Sequence, residues 1–174
     1  AVSPSAIDVD TILQPSPVPQ LPLVADVSCT ESLCCAITQD RDLMCWGYND
    51  EGNLGAGHKG EVSAPVPVVG LKDVQQVAAE SEHSCAIANG GQAWCWGEGH
   101  WGQLGDGTKP EASPTAVQVQ TLTNVRSIAT TDGNSCAVNG DGAVYCWGDG
   151  YFSDSSMESA KPVRIKGIED VAQV

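Results

Sequence analysis

Apolar and small residues in this chain form short runs that return on a fixed period. Leu21, Leu71, Leu122 and Ile168 open the series; Val24, Val74, Val125 and Val171 follow, then Val27, Val77, Ile128 and Val174. The tripeptide Cys-Trp-Gly begins at Cys45, Cys95 and Cys146, on the same period. A unit of roughly 50 residues is therefore repeated three times and begun a fourth time. Inside a unit the runs predict strands. Val74–Ala79 mixes branched and small residues with partial alternation, and Ser84–Ala88 and Ala93–Gly97 flank Asn89-Gly90-Gly91, a hairpin turn. The third copy has Gly140-Asp141-Gly142 at that place. Segments 63–69 and 161–165 read as outer strands, where proline is tolerated. No window has the 3.6-residue period of a helix.

Several short strands per unit, with a tryptophan and glycines at fixed points, predict an all-β fold. Its architecture is a partial β-propeller of three repeats and the start of a fourth, completed by other chains or by a further segment. The units divide as a Pro/Ser-rich extended arm at 1–14, repeats at 15–64, 65–114 and 115–161, and an incomplete repeat at 162–174.

The eight cysteines follow from the hairpins. With a three-residue turn at 89–91, Ala88 faces Gln92 and Cys85 faces Cys95. Opposed residues of an antiparallel pair come within reach of a disulfide. The same counting pairs Cys35 with Cys45 and Cys136 with Cys146. Three identical C-x9-C hairpins do not have the C-x2–4-C spacing of zinc sites. Cys29 and Cys34 occur in the first repeat only, and are paired with each other. Disulfides imply an oxidising compartment, so the chain is expected to be secreted or at the cell surface.

Charge narrows the partners. There are 22 acidic and 8 basic residues, a formal net charge of −14. That argues against nucleic acid, whose phosphates require Lys and Arg. No run of apolar residues is long enough to insert in a membrane.

The motifs resemble the regulator-of-chromosome-condensation repeat family, in a disulfide-bearing extracellular variety. The match is best in repeat two: His83-Ser84-Cys85-Ala86-Ile87, Cys95-Trp96-Gly97, then Gly102-Gln103-Leu104-Gly105-Asp106-Gly107. Repeat one keeps Cys45-Trp46-Gly47 and Gly52-Asn53-Leu54-Gly55-Ala56-Gly57, with Leu33 in place of the histidine. Repeat three keeps Cys146-Trp147-Gly148 but has Ser153, Ser155, Ser156 and Glu158 where the glycine motif aligns, and Asn134 for the histidine. The resemblance implies a propeller of about six or seven four-stranded blades acting as a binding platform.

Candidate sites lie where the repeats differ. The segments after each Cys-Trp-Gly carry Tyr48, Asp50 and Glu51, then Glu98, His100 and Trp101, then Asp149, Tyr151 and Phe152. Lined up as loops on one propeller face, they offer aromatics among carboxylates, a surface suited to a protein or a glycan. Trp46, Trp96 and Trp147 are expected in the blade cores, and His83 as a structural histidine. No nucleophile or metal motif appears, so neither an enzyme nor a cofactor is expected. Three and a bit blades leave strand edges open. Association with other copies, as a ring or filament built by strand addition, is therefore expected, with Ile7, Val9, Ile12, Val171 and Val174 as the assembling residues. The alternative is a piece of a longer secreted propeller serving as a protein- or carbohydrate-binding module or inhibitor.

Overall fold

The structure, a computed structural model, describes residues 17–153 and 156–174, and side chains outside 151–157. Twelve strands form three four-stranded antiparallel sheets, each a simple meander, with no helix among the described residues. Blade 1 holds β1 (Val24–Cys29), β2 (Leu33–Thr38), β3 (Leu43–Gly47) and β4 (Val62–Pro67). Blade 2 holds β5 (Gln76–Ala79), β6 (His83–Ala88), β7 (Gln92–Glu98) and β8 (Ala112–Gln118). Blade 3 holds β9 (Val125–Thr131), β10 (Asn134–Asn139), β11 (Val144–Ser153) and β12 (Ser156–Arg164). Blade and sequence repeat differ in phase, because β4, β8 and β12 run across positions 65, 115 and 162.

The hairpin register is the one that the turn dictates. Ala88 pairs with Gln92 and Cys85 with Cys95. Cys35 faces Cys45, and Cys136 faces Cys146. All three pairs are disulfides, as is Cys29–Cys34 between β1 and β2. Each pair joins Cα atoms 4.1 Å apart.

The core lies between blades rather than within one sheet. Val74 and Val77 of blade 2 pack with Leu33, Ile37 and Leu43 of blade 1. Val125 and Ile128 of blade 3 pack with Ile87 and Ala93 of blade 2. The inner strands are also tied by polar side chains. The Gln76 amide donates to Ile128 O and accepts from Ile128 N–H, at 3.0 and 3.1 Å.

Two expectations change here. Asp149, Tyr151 and Phe152 were expected in a loop and belong to β11, which pairs with β12 through Asp149↔Glu158 and Ser153↔Ser156. Without the glycines of the other copies the chain lacks the residues that suit positive-φ turns, and it runs on as a hairpin. Residues 165–174 carry no strand. Val171 N–H donates to Gly142 O, and the Val174 backbone is held at both groups by Ser127 Oγ. Ile7, Val9 and Ile12 lie outside the described residues.

Candidate interaction face

After β3 and β7 the chain leaves its own sheet and crosses to the next blade. The two crossings share one path. Gly52, Gly55 and Gly57 have φ of 78°, 67° and 85°; Gly102, Gly105 and Gly107 have 85°, 69° and 86°. At each crossing the carbonyl of the residue after the first glycine meets the tryptophan of the next blade. Asn53 O accepts from Trp96 Nε1 at 2.9 Å, and Gln103 O from Trp147 Nε1 at 2.8 Å. Further along, Gly57 N–H donates to Pro114 O, and Gly107 N–H to Ala160 O. A Cβ on Gly105 would sit 2.7 Å from Trp147 Nε1, so only glycine allows this approach. The motif is a clasp between consecutive blades.

Serines complete the clasp. Ser84 Oγ donates to Asn53 O, and Ser135 Oγ to Gln103 O. Since Ser135 spends its proton there, its oxygen is left to accept from His83 Nε2–H, 2.9 Å away. His83 is fully buried, and burial lowers its pKa to about 4. It is structural, as its place in β6 suggests. Trp96 and Trp147 are fully buried, but Trp46 is only half-buried. The expectation of three equivalent core tryptophans holds for two.

The crossings hold their variable residues outward. Tyr48 is 43% exposed and Trp101 38%. Trp101 is pinned by its backbone: its N–H donates to Gln103 Oε1, whose Nε2 donates to Glu98 Oε2 at 3.1 Å. Glu98 Oε1 lies 2.9 Å from His100 Nδ1, and the His100 and Trp101 rings sit 4.5 Å apart. Burial, then hydrogen bonding with Glu82 and its charge, then the charge of Glu51, raise Glu98 to about 7. A hydrogen bond to Asp50, then its charge, raise the Tyr48 phenol above its ordinary value.

The candidate residues thus come together in two groups. Tyr48 joins Asp50. Glu98, His100 and Trp101 form one network, which approaches Asp149 at Gly133: a Cβ there would lie 3.5 Å from Asp149 Cβ and 3.8 Å from Trp101 Cδ1. Glu51 is paired with Lys59 at 3.1 Å. The Tyr151 and Phe152 side chains lie outside the described residues. Gln103 and Glu82 were missed by sequence reasoning; Gln103 reads as one letter of a repeat motif, and nothing in the sequence links Glu82 to Glu98. Among the described residues no three His, Cys, Asp or Glu side chains gather as a metal site.

Comparison with known proteins supports the fold and places the chain. Solved structures share it over about 85% of this chain, at low identity. Human WBSCR16 matches with a TM-score of 0.76 and 24% identity over 86% of this chain and 40% of its own. Yeast RCC1 (Prp20), crystallised with Kap60, matches with a TM-score of 0.76 and 22% identity over 85% of this chain and 38% of its own. The chain therefore spans about 40% of the length of these relatives. No curated protein matches by sequence. Two models of the regulator of chromosome condensation (RCC1) repeat match, one over residues 42–87 and 90–138, the other over 24–53, 74–103 and 125–153. With its clasped Cys-Trp-Gly blades and these matches, the chain belongs to the regulator of chromosome condensation repeat family.

Proposed function

We propose that the chain is a non-enzymatic interaction module of an extracellular propeller, binding a protein or glycan through the crossings that carry Tyr48 and Trp101. The observation that carries the reading is Trp101. It is a large aromatic held outward by a fixed backbone network, among Glu98, Asp149 and the net negative charge of the chain. Rigid exposed aromatics bordered by charge are what contact surfaces are built from. The four disulfides support an oxidising, extracellular setting. The test is binding of the chain to arrays of glycans and of extracellular proteins, with Trp101→Ala and Tyr48→Ala alongside. A hit weakened about thirtyfold in Trp101→Ala, the cost of a hot-spot side chain, at unchanged melting temperature, supports the reading. Hits that neither variant alters overturn it.

A second reading is association through the outer face of blade 1, with further propeller blades from another copy or another chain, in a ring or filament. It is favoured by β1, whose Val24 and Val27 are 37% and 55% exposed, while the aligned Val74, Val77, Val125 and Ile128 are buried. Sedimentation across micromolar concentrations tests association of copies: a fixed monomer mass removes it.

A further inference from the structure

Two hairpin turns contain Asn-Gly: Asn89-Gly90 follows β6, and Asn139-Gly140 closes β10. No other asparagine of the chain precedes glycine. Asn49, Asn53, Asn124 and Asn134 are followed by Asp50, Leu54, Val125 and Ser135. The dipeptide carries a chemistry of its own. The asparagine amide carbon is an electrophile within reach of the next backbone nitrogen. Glycine, having no Cβ, leaves that nitrogen unhindered. The surroundings decide whether the two atoms meet.

The fold holds the two pairs differently. Gly140 N–H donates to Asn124 O. Asn139 Oδ1 accepts from the N–H groups of Asp141 and Ala143 at 3.1 and 3.0 Å, and Asn139 Nδ2 donates to Asp141 Oδ2 at 3.4 Å. The Arg126 guanidinium donates to the main-chain carbonyls of both residues. A Cβ on Gly140 would collide with the Asn124 side chain. Nucleophile, electrophile and leaving group are all engaged, in a crowded place.

Asn89-Gly90 is the opposite case. Among the described residues neither Gly90 N–H nor Asn89 Nδ2 has a hydrogen-bond partner. Gly90 is exposed, and a Cβ built on it would meet nothing within 4 Å. The one bond that the Asn89 side chain makes favours attack. Lys72 N–H donates to Asn89 Oδ1 at 2.9 Å, where it polarises Cγ and faces the negative charge that gathers on that oxygen.

We propose that Asn89-Gly90 is a self-modification site, where the folded chain converts its own asparagine to aspartate and isoaspartate, while Asn139-Gly140 is held back. Gly90 N attacks Asn89 Cγ and a bond forms between them. The Gly90 amide proton passes through solvent to Nδ2, and the Cγ–Nδ2 bond breaks to release ammonia. The resulting five-membered imide takes up one water. Opening at Cγ gives aspartate, and opening at the main-chain carbonyl gives isoaspartate. Nothing is oxidised or reduced, and water is the sole co-reactant. Either product adds a negative charge. The isoaspartate also sends the main chain through Cβ. That lengthens the turn by one atom and pulls Asn89 out of register with Lys72, to which it is bonded through Asn89 N–H and Lys72 O as well. The site is independent of the Trp101 surface, which lies at the other end of the β6–β7 hairpin.

The experiment ages the chain in warm, mildly alkaline buffer and maps its peptides by mass spectrometry, with aspartate and isoaspartate resolved chromatographically. One sample is folded; the other is reduced and held in denaturant. In the unfolded sample the two Asn-Gly pairs are expected to convert at similar rates. In the folded sample Asn89 is expected to convert about tenfold faster than Asn139 or more, since Asn139 must first break one or two hydrogen bonds. Gly90→Ala, which crowds the nucleophile, is expected to slow conversion of Asn89 and leave Asn139 unchanged. Equal rates in the folded chain, or faster conversion of Asn139, overturn the proposal. So does an Asn89 that converts only in denaturant, since the fold would then protect it.

Discussion

His83 shows how one buried side chain sets a pH dependence. Unfolded, a histidine takes its proton near 6.5; in this fold it does so only near 4. Between those values the unfolded chain binds more protons. Stability is therefore full above about 6.5 and falls as the pH drops toward 4, by up to about 3 kcal/mol. His83→Leu, the residue that blade 1 carries at Leu33, is expected to flatten that fall. Denaturant titrations at pH 7 and pH 4.5 read it, and an unchanged difference would contradict the assignment. Glu98 works in the opposite sense. Its folded pKa is raised from 4.5 to about 7, so its contribution is present below 4.5 and lost as the pH rises through 7. Glu98→Gln keeps an amide oxygen for Gln103 and removes the charge facing Glu82 and Glu51. It is expected to remove the loss of stability between pH 5 and 8, as followed by melting temperature.

At the scale of elements, two kinds of link act, and they were not equally legible. The disulfide hairpins are written into the sequence, because a turn of known length fixes which residues oppose each other. Replacing Cys85 and Cys95 together by alanine is expected to cost about 2–3 kcal/mol in denaturant unfolding, the loop-closure contribution of a short link. The clasps were not legible. Each copy shows the same tryptophan and the same glycines, and nothing local reveals that Trp96 belongs to the loop of the copy before it. The contact spans 43 residues at Asn53 and 44 at Gln103. Trp147→Phe removes the donor to a buried carbonyl and is expected to destabilise by about 1–3 kcal/mol. Trp46→Phe, with no clasp carbonyl to lose, is expected to cost less; equal losses would show that the donation carries no weight. The β11–β12 hairpin was hidden for another reason. The missing glycines say that the clasp is absent, and the extended course of 149–153 appears only once β12 lies beside it.

Over the whole molecule the blades are joined in one direction. Each clasp leaves one blade and is completed by the next, Asn53 by Trp96 and Gln103 by Trp147. The candidate face depends on this order, since Trp101 sits in the crossing from blade 2 and looks onto Gly133 and Asp149 of blade 3. Sequence alone placed Glu98, His100 and Trp101 beside Asp149 because repeats put aligned segments side by side. It could not supply the Gln103 bridge that fixes them. Gln103→Ala is accordingly expected to loosen Trp101, read as faster exchange of its backbone amide, while the Trp147 indole stays protected by the remaining Gln103-position carbonyl.

The direction of the clasps also imposes a schedule on synthesis. A ribosome releases Asn53 before the Trp96 that will hold it, and Gln103 before Trp147. At about 5–20 residues per second, each crossing waits roughly 2–9 seconds without its anchor. Its hairpin cysteines, by contrast, emerge only ten positions apart. Oxidation of a blade therefore has the opportunity to run ahead of its attachment to the next. A nascent chain paused before Trp96 would carry the Cys35–Cys45 bridge and an unseated 52–57 loop, open to proteases that the finished array excludes.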